Sequence, residues 1–176
     1  AIKRDALGAY RQFSKQVIKI LIYSKEEAIR LYNDYIGPEH LLLGIIRDGN
    51  NKAVDVIKDN LSIDIKELKS KVEDKLRNSN HPGPVSLDIS LDEKSSSILK
   101  LSILESRLAK STMPEIEHVL LAIVKQKNNL AAEIWNEYNL DYDKLQRLIN
   151  QTTSVPTKDN IDFEDLERMY NMRKRE

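Results

Sequence analysis

The sequence predicts an all-α protein made of two tandem four-helix repeats packed with pseudo-twofold symmetry. Only five glycines and five prolines interrupt 176 residues. Leu, Ile, Lys, Glu and Asp recur with helical rather than alternating spacing. Most specifically, Glu39-His40-Leu41-Leu42-Leu43 is answered 78 residues later by Glu117-His118-Val119-Leu120-Leu121. Each acidic–histidine pair directly precedes an apolar run, so each reads as the first turn of a buried helix whose opening residues stay near the surface. A duplication of this kind predicts two bundles, each contributing an equivalent surface site.

In the first copy, Val17, Leu21, Ser24, Ala28 and Leu31 step by four and three, predicting a helix of about five turns that begins at Ser14. Its Lys15, Lys19, Lys25 and Glu26 are expected to face water. Gly37-Pro38 opens the second helix, with Gly37 at the N-cap and Pro38 at the first helical position, where a missing N–H is harmless. Leu41, Leu42, Ile45 and Ile46 point inward until Gly49-Asn50-Asn51 ends it. A short third helix runs through Ala53, Val54 and Ile57. Asp64 then caps a fourth, with Glu67 completing a capping box and Ile65, Leu68, Val72 and Leu76 on one face.

Asn78 to Pro84 contains two prolines and a glycine that cannot continue a helix. It marks a linker over 78–90 between a first repeat at 13–77 and a second at 91–150. In the second copy Asp92 caps a helix through Ile98, Leu101, Leu104 and Leu108, and Pro114 to Glu117 opens the next. Ala131 to Trp135 supplies the third, and Asp141 caps the fourth, after a one-residue deletion. Residues 1–12 form a leader outside the duplication. Residues 151–176 read as a solvated tail ahead of a docking helix, although Phe163, Leu166, Met169 and Tyr170 keep helical spacing.

Composition excludes several classes of function. Lys+Arg and Asp+Glu both number 28, so no overall charge favours nucleic acid. The chain contains no cysteine, hence no disulfide scaffold and no cysteine nucleophile. No apolar run reaches the roughly 20 residues of a membrane span, and the first residues lack a signal-peptide core, so a cytoplasmic protein is expected. Neither a Gly-x-Ser-x-Gly turn nor a His-Glu-x-x-His helix occurs, which argues against a small helical hydrolase. His40 and His118 lack a third ligand at metal spacing and read as structural.

Phe13-Ser14, Ser24-Lys25-Glu26-Glu27-Ala28 and Tyr35 to Gly49 resemble the first Clp N-terminal repeat of the AAA+ unfoldases, and are most similar to ClpC. Ile103 to Leu108 and Glu117 to Leu121 follow the second repeat, so the resemblance covers about 13–150. The family's Gly-Thr-Glu-His is Gly37-Pro38-Glu39-His40 here and Glu115-Ile116-Glu117-His118 in the second copy. The resemblance implies a non-catalytic domain that recognises adaptor proteins and protein substrates, works with a Clp peptidase through a hexameric full-length protein, and is monomeric when isolated. This chain contains no Gly-x-x-x-x-Gly-Lys-Ser/Thr phosphate loop, so ATP and magnesium are expected only in ATPase modules outside it, and no cofactor within it. The alternative is a stand-alone Clp-repeat interaction protein without a motor.

The resemblance also implies a phosphoarginine site in each repeat, where a glutamate faces the guanidinium and a hydroxyl at the start of the repeat's first helix helps hold the phosphoryl group. Carried onto this chain, the first site pairs Ser14 with Glu39 and the second pairs Asp92 with Glu117. The chemistry is sound, because helix N-termini attract anions and carboxylates pair with guanidinium groups. A carboxylate at Asp92 repels a phosphoryl group, so the site holding Ser14 is expected to dominate. Ser14 and Asp92 read first as plain N-caps, a role that alone accounts for their types, while Glu39 and Glu117 are equally well explained as first-turn acids that complement the helix dipole.

Overall fold

The computed structural model describes residues 11–78 and 88–151, together with Leu166, Arg168 and Met169. Among the described residues there are eight α-helices and no named strand: α1 (Lys15–Arg30), α2 (Pro38–Asp48), α3 (Lys52–Asp55), α4 (Ile65–Asn78), α5 (Glu93–Leu108), α6 (Ile116–Lys125), α7 (Ala131–Glu137) and α8 (Tyr142–Gln151). None of them is long and apolar enough to cross a membrane. The order of helices in the first copy repeats in the second, as the duplication predicts. Left-handed residues fall at Tyr32 and Lys110, 78 apart, and at Ser62 and Asn139, 77 apart. The deletion in the second copy therefore lies before its last helix.

The helix boundaries follow from local chemistry. Ser14 is extended and its Oγ accepts the Val17 N–H at 3.2 Å. Its counterpart Asp92 accepts the Ser95 N–H at 2.8 Å. Gly49 ends α2 in the left-handed conformation, φ 72°, that a side chain rarely adopts. Asp64 Oδ1 accepts the Lys66 and Glu67 N–H groups, but Glu67 does not reach back to complete the capping box; it receives Tyr138 Oη–H at 3.2 Å instead. α3 runs straight into a π-helical turn over Val56–Asn60, which the sequence pattern did not reveal.

The apolar faces meet in one continuous core. α2 and α6 lie at its centre, with Leu41, Leu42 and Ile45 from one repeat and Leu120 and Ile123 from the other no more than 0% exposed. Burying each such side chain stabilises the fold by about 1.5–3 kcal/mol. α1 packs along α2, α5 along α6, and α4 reaches across to α7. Gly44 lets α1 and α2 approach closely: a Cβ there would lie 2.5 Å from Ser24 Oγ and 2.8 Å from the Ile20 carbonyl. Lys71–Glu137 at 2.7 Å and Lys75–Glu133 link α4 to α7 on the surface, where such pairs contribute little.

Two expectations are corrected. Lys25 is buried at 3% exposure rather than facing water, because α1 is covered on a second side where Ile18 and Ile22 are also buried. Leu166, within the segment read as a solvated tail, is fully buried. Most of the linker, residues 79–87, lies outside the described residues, as does nearly all of the leader.

Candidate functional site

The two repeats are stitched together at the starts of their helices. Ser14 N–H donates to the Pro114 carbonyl at 3.1 Å, and Asp92 N–H donates to the Ile36 carbonyl at 3.0 Å. These bonds are equivalents, each shifted by 78 residues. Each hangs the N-cap of one repeat's first helix on the chain entering the other repeat's Glu-His helix. Ile36 N–H also donates to the Ser90 carbonyl at 2.9 Å, closing a short parallel bridge between Ile36 and Leu91. Pro114 has no N–H, so the second seam lacks this bond.

This stitching changes the expected pairing of site residues. Asp92 lies with Glu39: Asp92 Oδ2 and Glu39 Oε1 each come within 3.3 Å of where a Gly37 side chain would begin. Ser14 lies with the start of α6: its N–H meets the Pro114 carbonyl, and its hydroxyl stands beside the Glu115 carboxylate. The clusters thus pair Ser14 with the Glu115–Glu117 turn and Asp92 with Glu39, not Ser14 with Glu39 and Asp92 with Glu117. Pseudo-twofold packing places the first helix of each repeat against the second helix of the other.

The Asp92 cluster is closed. Glu39 is 3% exposed, and its Oε2 accepts the Leu130 N–H at 3.0 Å, so a carboxylate of the first repeat caps α7 of the second. Burial pushes the Glu39 carboxyl above its usual range; its own N–H and that of Leu130 hold it down, Asp92 raises it further and Lys94 opposes that. Beside it, His40 Nδ1 accepts the Gly37 N–H at 2.9 Å while Nε2 bonds Asn33 Oδ1 at 2.8 Å.

The Ser14 cluster is more open at its glutamates, although Ser14 itself is only 3% exposed. Glu117 is half-buried, and Glu115 is half-buried with its carboxyl pushed up by burial and by Glu117 while Ser14 holds it down. His118 repeats the cap, accepting the Glu115 N–H at 2.9 Å. Burial depresses His118, the Glu117 and Glu105 carboxylates oppose this, and Lys52 at the start of α3 reinforces it. In both clusters a carboxylate stands at the helix start that would attract an anion: Asp92 caps α5, and Glu115 lies beside Ser14, the cap of α1. A guanidinium or other cation suits the half-buried Glu117, whereas a phosphoryl group meets the repulsion of the Glu115 carboxylate beside Ser14. No group of three or more His, Cys, Asp or Glu among the described residues could hold a metal.

Sequence reasoning missed Leu130 and Lys52, which contribute through the other repeat. It also missed Asn51 and Asn129, whose amides cap the ends of α2 and α6 by donating to the Ile45 and Ile123 carbonyls. Their 78-residue separation was the available signal.

Fold and site together define a duplicated α-helical module with a helix-start cluster at each crossing of its repeats. The family model for the Clp repeat (R) N-terminal domain matches residues 12–113 and again 90–162, and the chain belongs to that family. It is 29% identical over 150 residues, 83% of its length, to an "ATP-dependent Clp protease ATP-binding subunit ClpA homolog" of Cyanidium caldarium, and 28% identical, again over 83%, to the chloroplastic chaperone protein ClpC2 of Oryza sativa subsp. japonica. A chaperone protein ClpB of Oceanobacillus iheyensis is 26% identical over 81% of the chain. The chain spans only 16–17% of the length of these relatives. Its fold matches the N-terminal domain of ClpD from Arabidopsis thaliana, with a TM-score of 0.61 and 18% identity, covering 80% of this chain and 93% of that one. It also matches the Hsp104 N-terminal domain from Candida albicans, with a TM-score of 0.64 and 18% identity over 78% and 88%.

Proposed function

We propose that this chain is the substrate- and adaptor-recognition domain of a ClpC-type ATP-dependent unfoldase in a Clp protease system, presenting proteins to ATPase modules that are not in this sequence. The observation that carries the reading is the pair of crosswise clusters. Each is built from both repeats, and the one at the start of α6 keeps its glutamates within reach of a partner. Membership in the Clp repeat family and likeness to relatives named as Clp ATP-binding subunits support it.

Within this reading, an arginine side chain, phosphorylated in marked substrates, seats at the Ser14–Glu117 cluster and not at the closed Asp92–Glu39 cluster. Glu117 receives the guanidinium. The phosphoryl group takes the place of the Glu115 carboxylate at the start of α1, where Ser14 and the first-turn N–H groups attract an anion. Calorimetry with free phosphoarginine tests this. Glu117→Ala should remove the signal, Asp92→Ala should leave it, and Glu115→Gln should strengthen it. Equal losses for Glu39→Ala and Glu117→Ala in folded protein would contradict the asymmetry.

A further inference from the structure

The outward side of α5 differs in kind from its counterpart on α1. Leu104 and Leu108, one turn apart, are 53% and 67% exposed, and half-buried Leu101 extends their line toward the helix start. Steps of three and four residues are those of a seam against a second helix. In the first copy the positions of Leu104 and Leu108 are Glu26 and Arg30, which are held in ion pairs: Arg47 to Glu26 at 2.8 Å, and Arg30 to Glu27 at 3.0 Å and to Glu73. A single exposed leucine needs no explanation, but two in register where the duplicate carries paired charges call for one.

The exposed charges beside this stripe share one sign. Lys100 and Arg107, seven residues apart, line its edge, and Lys110 follows at the helix end; all three are exposed, and none forms an ion pair among the described residues. Glu105 is the only acid from Ser97 to Met113, and it is 2% exposed and receives Tyr142 Oη–H at 2.6 Å. In the first copy the place of Lys100 is taken by Ile22, which is buried. An apolar line edged by cations complements a partner that brings apolar side chains and carboxylates together. The surface is the flank of a helix, along which a second helix can lie, ridge into groove. A second copy of this chain does not complement it, because antiparallel pairing of α5 with α5 sets the basic edge against itself.

We propose that the α5 face of Leu104 and Leu108 docks an acidic amphipathic helix of a folded partner protein, with the partner's apolar stripe on the leucines and its carboxylates against Lys100 and Arg107. The inference goes beyond the reading above and does not depend on the arginine seat: that seat receives a cation, and this surface receives carboxylates.

The probe is a stapled peptide of about 15 residues, long enough with its staple to hold a helix, carrying leucines at steps of three and four flanked by glutamates. Fluorescence anisotropy of the labelled probe with the whole chain should show saturable binding that weakens as salt is raised. Leu104→Ser with Leu108→Ser, and separately Lys100→Glu with Arg107→Glu, should each weaken it by about 10-fold or more. Both pairs are exposed, so circular dichroism and melting should not change. A second probe with lysines in place of the glutamates should fail on the wild type and bind the Lys100→Glu, Arg107→Glu variant instead. Equal binding of the two probes, or wild-type affinity in the leucine variant, overturns the proposal. Self-association of the chain that displaces the probe, or a preference for anionic lipid vesicles over it, also overturns it. Glu117→Ala should leave probe binding intact. Phosphoarginine binding without probe binding therefore sinks this surface alone, and probe binding without phosphoarginine binding sinks the arginine seat alone.

Discussion

Acidification should destabilise this domain through His40. The side chain is 0% exposed and both of its ring nitrogens are committed. The Gly37 N–H can only donate, so Nδ1, at 2.9 Å, must accept, and the proton sits on Nε2 facing Asn33 Oδ1 at 2.8 Å. Protonating Nδ1 would set two N–H donors against each other in a water-free site. Burial accordingly pushes His40 from the ordinary 6.5 down to about 4. The unfolded chain takes up a proton near 6.5 and the folded one only near 4, so the unfolded state holds more protons between these values. The stabilisation is fully present above 6.5 and is lost as pH falls toward 4; a difference of about 2.5 in pKa corresponds to about 3 kcal/mol. Glu39 and Glu115 work in the opposite sense. Burial raises both carboxyls, so their contribution is present below the unfolded carboxylate range and lost as pH rises through the folded values. Following the His40 ring protons by NMR separates the effects, and urea unfolding at about pH 7 and about pH 4.5, compared with His40→Gln, gives the energy. A His40 that titrates between about 6 and 7 in the folded protein would refute the cap argument.

Glu39→Ala removes the acceptor for the Leu130 N–H and should cost about 1–3 kcal/mol, whereas Glu117→Ala, at a half-buried position, should cost less than about 0.5 kcal/mol; thermal melts of the two variants decide it. Gly44→Ala forces a methyl against Ser24 Oγ and the Ile20 carbonyl and should cost about 1–3 kcal/mol by urea unfolding, a cost the close approach of α1 and α2 requires. Ser14→Ala loses the cap on Val17 N–H and should cost about 0.5–2 kcal/mol. That is about 2–4 °C in melting temperature per kcal/mol for a chain of this size.

Much of the fold was legible because local chemistry and a repeat spoke for it. Ser14 and Asp92, Gly37-Pro38, Gly49 and Asp64 act within a few residues of their own positions, and the 78-residue offset linked the copies without reference to distant contacts. What stayed hidden depends on tertiary packing. Lys25 sits on a helical face that reads as solvated until Ile18 and Ile22 beside it are seen to be covered. Glu67 abandons its own helix start because Tyr138 lies within reach across the repeats. The pairing of Ser14 and Asp92 with the glutamates was the largest gap. An internal duplication is equally compatible with sites built inside each copy or shared between copies, and only the Ser14–Pro114 and Asp92–Ile36 bonds distinguish the two.

Those two bonds bear on what half of this molecule could do alone. One repeat carries a cap residue without its glutamate neighbour and a glutamate turn without its cap, so it holds two unfinished halves and nothing whole. Two identical single repeats meeting about a true dyad would complete both at once, and the covalent tandem lets the two completed halves diverge, as Ser14 and Asp92 already have.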